Sequence, residues 1–93
     1  MHNKTEQVKD LYNAILKLKT EDECYDFFDD LCTPKEIEQM AERYAAAKLL
    51  LEGETYESVI KKTNISSATL SRVSKCIKYG KGYKLIIDRQ KEK

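Results

Sequence analysis

The sequence predicts an all-α protein of about six helices that contains a helix-turn-helix, and three observations lead to that prediction. Helix-forming residues dominate the chain, whereas glycine and proline together account for only four of its 93 residues. Apolar residues recur at intervals of three and four through most of the sequence. Residues 55–78, TYESVIKKTNISSATLSRVSKCIK, match a short helix, a sharp turn and a second helix with a basic outward face.

Length and cysteine content set limits on the class of protein. A chain of 93 residues fits one domain with a small core, so association with a partner subunit would help to stabilise it. Cys24, Cys32 and Cys76 match neither a disulfide framework nor a metal-ligand spacing, which favours a reducing cytoplasm. We expect no signal peptide and no membrane span, because no apolar run approaches the roughly 18 residues that a span requires.

Charge is distributed unevenly along the chain. Residues 1–54 carry 7 Lys and Arg against 13 Asp and Glu, a net charge of −6, whereas residues 55–93 carry 10 against 3, a net charge of +7. A basic half can approach phosphates while an acidic half faces away or pairs with another subunit. The alternative is a scatter of charges on solvated helix faces.

The first half of the sequence predicts three helices. Residues 4–19 place Val8, Leu11, Tyr12 and Ile15 at helical spacing, and Thr20 is typical of an N-cap for a second helix that runs to about Leu31. The expected apolar face of the second helix is Cys24, Phe27, Phe28 and Leu31. Its acidic residues lack the spacing of a calcium loop, so we interpret them as a solvated face and predict no metal site.

A long third helix is predicted from a motif at residues 33–36. Thr33 can cap the helix, Pro34 suits its first position and Glu36 can complete a capping box. Gly53 is placed to end this helix. Ala45, Ala46 and Ala47 would permit the close approach of another helix.

The helix-turn-helix prediction depends on its caps and on its turn. Thr55 can cap the first helix, and Asn64 occupies the turn because asparagine tolerates left-handed dihedrals. Ser66 can cap the second helix. The inward side chains are expected to be Val59, Ile60, Ile65, Leu70, Val73 and Ile77.

The outward face of the second helix supplies the candidate DNA-binding residues. N-terminal outward positions reach base edges in this motif, and Arg72 suits bidentate contact with guanine, whereas Lys75 and Lys78 suit phosphate. A solvated helix face remains the alternative for each charged residue taken singly. The full predicted set is Ser66, Ser67, Ala68, Thr69, Ser71, Arg72, Lys75 and Lys78.

The remaining segment completes the predicted organisation. Residues 79–83 indicate a flexible connection to a last short helix that contains Leu85, Ile86 and Ile87. The final residues, DRQKEK, are expected to fray. We therefore predict a single domain over residues 1–93. Residues 1–54 would form a dimerisation platform, residues 55–79 the helix-turn-helix, and residues 80–93 a C-terminal helix and tail.

The stretch from Cys32 to Lys78 resembles the Trp repressor superfamily, and the complete chain is similar to its small Gram-positive relatives, the YerC/YecD group. The resemblance lies in Thr33-Pro34, Glu36, Arg43, the helix end at residues 50–54 and the segment SSATLSR at residues 66–72. It implies a homodimer in which N-terminal helices of two subunits intertwine and the reading heads project from that core. It also implies an operator with two-fold symmetry.

The same resemblance implies a possible effector pocket. In the Trp repressor, positions matching Thr33, Arg43, Thr69 and Arg72 help to form the tryptophan site between the long helix and the reading helix. Val73 stands where that repressor has glycine beside the indole, and the turn is one residue shorter, so we predict that free tryptophan is not the ligand. A structural role as a helix cap and an ion pair is the alternative for Thr33 and Arg43.

Three function classes follow from the sequence. The first is a transcriptional regulator, a repressor that occupies its operator as a homodimer on double-stranded DNA, without a cofactor and with or without a small effector of unknown identity. The second is a DNA-binding module for replication or another non-transcriptional role, and the third is a helical dimer for protein–protein interaction. We do not expect an enzyme or a catalytic residue, because no nucleophile, acid pair or metal cluster accompanies the single histidine, His2.

Overall fold

The computed structural model describes residues 4–92 and contains six α-helices and no strand in that range, which confirms the predicted fold class. His2 lies outside the described residues. The described residues divide into two compact units, with the boundary between Pro34 and Lys35. The helices are α1 (Glu6–Ile15), α2 (Glu21–Leu31), α3 (Pro34–Leu51), α4 (Tyr56–Thr63), α5 (Ser67–Tyr79) and α6 (Gly82–Lys91).

The first unit contains α1 and α2, and α1 ends earlier than the predicted residue 19. The backbone N–H of Lys17 donates to the carbonyl of Ala14 at 3.0 Å, which tightens the last turn after Ile15. The N–H of Lys19 donates instead to Glu23 Oε1 at 2.8 Å. If α1 continued to residue 19, the N–H of Lys19 would bond to a carbonyl four residues earlier. Glu23, in the first turn of α2, accepts that hydrogen bond instead.

The helix α2 begins as the sequence predicts. Thr20 has extended dihedrals, and its side-chain oxygen accepts a hydrogen bond from the Glu23 N–H at 3.1 Å. Phe27 and Phe28 meet edge to face, with ring centroids 5.5 Å apart. Neither α1 nor α2 has a buried residue, so the apolar stripes of this unit are only partly covered within one chain.

The second unit has one apolar core to which α3, α4, the following turn, α5 and α6 all contribute. Its buried members among the described residues are Ala46, Ala47, Val59, Ile65, Leu70, Val73 and Ile87. The two alanines are fully buried, which agrees with the predicted close approach of another helix to α3. Gly53 follows α3 with φ of 91°, a left-handed conformation that suits glycine and ends the helix.

The last helix is longer than the sequence suggested. We expected residues 88–93 to fray, but α6 continues to Lys91. Ile87 is buried in the core, and the Tyr44 hydroxyl donates a hydrogen bond to Gln90 Oε1. These two contacts tie the polar end of the helix to α3, and the pattern of residue types alone did not show them.

Asn64 connects α4 to α5 with φ of 63° and ψ of 13°. It is the only non-glycine residue with positive φ among residues 4–92. Its backbone N–H still donates to the Ile60 carbonyl at 2.9 Å, so the helix end is satisfied while the chain changes direction. No helix within the described range is both long and apolar enough to cross a membrane.

We predict that Asn64→Ala lowers the free energy of unfolding by about 1–2 kcal/mol, because alanine resists the left-handed region. Asn64→Gly should stay close to wild type, since glycine adopts positive φ without a steric penalty. Urea denaturation of both variants measures the difference. Equal losses in the two variants would show that the side chain, and not the backbone conformation, matters at this position.

Candidate nucleic-acid interface

The turn between α4 and α5 is held by a hydroxyl that both donates and accepts. Thr63 Oγ1 donates to the Val59 carbonyl at 2.7 Å and accepts from the Ile65 N–H at 3.3 Å. Ile65 is only 3% exposed and lies in the core. The turn is therefore anchored on both sides of Asn64, as a helix-turn-helix requires if its second helix is to keep a fixed direction.

Ser66 begins α5 through two hydrogen bonds to one residue. Its Oγ accepts from the Thr69 N–H at 3.1 Å, which confirms the predicted N-cap. The same hydroxyl donates to Thr69 Oγ1 at 2.9 Å. Thr69 is half-buried, and its side-chain hydroxyl is already hydrogen-bonded to Ser66. Thr69 lies at the N-terminal end of α5, the helix that is predicted to read bases.

The two faces of α5 differ as the sequence predicts. Leu70 and Val73 are buried in the core, and Ile77 packs against it half-buried. Burial of side chains of this size typically contributes about 1.5–3 kcal/mol each, which holds this face inward. Apart from Thr69, all of the predicted DNA-binding residues are exposed: Ser66, Ser67, Ala68, Ser71, Arg72, Lys75 and Lys78.

A carboxylate before α4 connects the two ends of that helix. Glu54 Oε1 accepts from the Ser58 hydroxyl at 2.5 Å and from Lys62 Nζ at 2.8 Å. The hydrogen bond from Lys62 lowers the pKa of Glu54 below its ordinary value, the bond from Ser58 acts in the same direction, and partial burial opposes them. The ion pair with Glu54 thereby holds the Lys62 side chain along α4, the first helix of the helix-turn-helix.

Arg43 of α3 lines two clefts. One, of about 220 Å³, is also lined by Arg72 and Val73. The other, of about 350 Å³, is also lined by Ser66 and Thr69. The predicted effector residues Arg43, Thr69, Arg72 and Val73 are therefore distributed over two neighbouring spaces, and Thr33 lines neither of them.

The smaller cleft also contains two residues that sequence reasoning missed, Cys76 and Tyr83. Cys76 lies one helical turn after Arg72, so helical spacing could have identified it. Tyr83 follows the break after α5, and no sequence signal places it there. Val73 is 1% exposed, so its side chain fills the core beside this cleft.

The comparisons with known proteins agree with this architecture. A family model described as Trp repressor protein matches residues 6–91. The chain is 47% identical over 87 residues to "Uncharacterized protein YerC" of Bacillus subtilis (strain 168), with 92% of this chain and 84% of that protein covered.

Two solved structures have the same fold. A TrpR-like protein from Eubacterium eligens matches with a TM-score of 0.92 and 44% identity, over 96% of this chain and 93% of that one. A protein of Staphylococcus aureus described as a "putative Trp repressor" matches with a TM-score of 0.92 and 37% identity, over 97% and 91% of the two chains.

The six helices and the capped turn between α4 and α5 thus define a helix-turn-helix protein. The chain belongs to the Trp repressor family.

We predict that the stability contributed by Glu54 depends on pH. Its pKa is lowered in the folded state, so the contribution is present above the ordinary glutamate pKa of about 4.3 and is lost as the pH falls through the lowered value. The difference in unfolding free energy between wild type and Glu54→Gln should therefore shrink from pH 7 to pH 3 in urea titrations.

Glu52→Gln is the matched control, because it removes an exposed neighbouring carboxylate that accepts no side-chain hydrogen bond from another described residue. A difference for Glu54→Gln that is the same at both pH values would contradict the role of Lys62 and Ser58.

Proposed function

We propose that the protein is a sequence-specific, double-stranded DNA-binding transcriptional regulator that acts as a homodimer on a two-fold-symmetric operator. In this proposal it represses by occupying the operator, without a cofactor and in the cytoplasm. The observation that supports it most directly is the exposed basic face of α5, on a helix whose opposite face is buried and whose start is capped. Family membership supports the same class of function.

Base recognition would use the N-terminal part of α5. Ser67, Ala68 and Ser71 are small and exposed, so the helix can approach the floor of the major groove closely. Arg72 follows on the same face, and its planar guanidinium can donate two hydrogen bonds to one guanine. Lys75 and Lys78 would bind phosphate, which positions the helix but carries no sequence information.

The homodimer is supported by the first unit. Large apolar side chains remain exposed on and beside its helices: Tyr12 (61%), Leu16 (79%), Tyr25 (61%) and Leu31 (47%). Neither α1 nor α2 buries a residue within one chain. A second copy is the partner that would cover such stripes symmetrically, and a symmetric dimer presents two reading heads to a palindrome.

Selection from a random pool of duplex DNA tests the proposal. The recovered sequences should form a palindrome whose half-sites lie about 34 Å apart, and sedimentation at micromolar concentration should show a dimer. A non-transcriptional DNA-binding module would return no palindrome. A protein–protein interaction dimer would show no salt-sensitive shift of duplex DNA in a gel, and that outcome would exclude the proposed function.

We predict different consequences for two basic residues of α5. Arg72→Ala should cost about 1–3 kcal/mol of binding free energy per half-site and relax the preference at one base pair in each half-site. Lys78→Ala should weaken all sequences alike and reduce the slope of log K against log salt by about one per subunit, or about two for the dimer. Titration against the selected site and its single-base variants separates the two roles. If Arg72→Ala weakens every sequence equally, Arg72 does not read a base.

We also propose that free tryptophan is not an effector. Val73 packs in the core and lines the Arg43–Arg72 cleft, so its side chain occupies space that a glycine at this position would leave to a ligand. Isothermal calorimetry with L-tryptophan should show no binding, and millimolar tryptophan should leave the affinity for the selected DNA unchanged. Saturable binding at one site per subunit would refute this.

A further inference from the structure

Basic residues recur at every third position from the reading helix into the last helix. Arg72, Lys75, Lys78, Lys81 and Lys84 form this series, which we call the basic ridge. No aspartate or glutamate occurs anywhere from residue 58 to residue 87. The proposed reading head uses the first three members and leaves the last two unexplained.

All five side chains of the basic ridge are exposed. None of them forms an ion pair with another residue in the described range, whereas Lys62 is paired with Glu54. On a helix, positions three apart form a row inclined by about 45° to the axis, so the α5 members cross its surface obliquely towards its C-terminal end. The ridge therefore presents free cations that no carboxylate of its own segment neutralises.

The series continues along the sequence across the break between the two helices. Lys81 is the N-cap residue of α6 and makes no side-chain capping bond, and Lys84 lies in the first turn of that helix. Tyr79, at the end of α5, is 77% exposed, and Lys78 Nζ lies 5.4 Å from its ring centroid. The phenol hydroxyl of Tyr79, which follows Lys78 in the sequence, can also donate to an anionic oxygen.

Stability of the isolated chain does not account for this arrangement. Like charges three positions apart on a helix repel each other, and cations near a helix N-terminus oppose the helix dipole. The first turns of α1, α2, α3 and α4 each carry an acid, those of α5 and α6 carry none, and that of α6 carries Lys84. The ridge is unfavourable in the free protein and becomes favourable beside a polyanion.

We infer that the basic ridge binds the sugar-phosphate backbone of duplex DNA, with Lys81 and Lys84 extending the backbone contact from the reading helix onto α6. This inference rests on the proposed function. Each lysine that neutralises a phosphate releases condensed counterions, so the two added contacts raise affinity for every sequence and steepen its salt dependence. They contribute no base preference, because phosphates are the same in every sequence.

The test compares two double variants with equal loss of charge. Lys81→Gln/Lys84→Gln changes the ridge, and Lys9→Gln/Lys17→Gln removes two exposed lysines from the acidic half of the chain. Relative to wild type, the ridge variant should lower the slope of log K against log salt by about two per subunit, or about four for the dimer, while the control should leave it nearly unchanged. Selection from the random pool should return the same preferred sequence for both variants.

Two further measurements separate loss of contact from loss of fold. Phosphate-ethylation interference on the selected duplex should lose specific backbone positions with the ridge variant and keep all of them with the control. The melting temperature of the ridge variant should not fall, because the substitutions remove repulsion and an unfavourable interaction with the helix dipole.

Three outcomes would overturn the inference. A salt slope and an interference pattern equal to those of the control would show that Lys81 and Lys84 do not touch the backbone. A loss confined to single-stranded DNA or RNA, with duplex binding unchanged, would assign the ridge to another nucleic acid. If wild-type protein shows no salt-sensitive duplex binding at all, the proposed function itself fails and the inference fails with it.

Discussion

The shared apolar core of the second unit fixes the direction of α5, and the rest of the candidate interface depends on it. Val59 from α4, Ile65 from the turn, Leu70 and Val73 from α5 and Ile87 from α6 are all buried in that core with Ala46 and Ala47. Because the alanines have almost no side chain, larger residues from the other elements can occupy the space beside α3. Burial of one face of α5 turns its other face outward.

Hydrogen bonds at the turn and at the start of α5 fix the backbone there more closely than the apolar core does. The core alone would leave the start of α5 and the turn free to adjust, but Thr63, Ser66 and Thr69 satisfy the backbone groups there. Caps of this kind contribute on the order of 1 kcal/mol each, less than the apolar core, yet they define the point at which the helix begins. The position of Arg72 relative to a base depends on that starting point.

Much of the fold could be predicted from the sequence. The recurrence of apolar residues at intervals of three and four indicated the helices, and Thr20, Thr55 and Ser66 marked three of their starts because capping chemistry is local. Prediction was weaker at the helix ends. Residue 19 was placed in α1 although Glu23 binds its N–H, and residues 88–91 were expected to fray although Gln90 binds Tyr44, 46 positions away.

The candidate site was likewise predictable from the sequence only in part. The exposed residues of α5 followed from helical periodicity, since the buried positions Leu70 and Val73 fix the opposite face. The smaller cleft at Arg43 did not follow from helical periodicity. One of its lining residues, Tyr83, belongs to α6, which begins only after α5 has ended at Tyr79. Periodicity describes one helix at a time and does not give the direction of the next.

The sequence by itself determined the helices, the caps, the left-handed turn at Asn64 and the separation of acidic and basic halves. These properties arise from interactions between residues a few positions apart, or from composition alone. Only the tertiary structure decided where α1 and α6 end and which residues line the clefts beside Arg43. Those outcomes depend on contacts between distant segments, whose energies no local pattern contains.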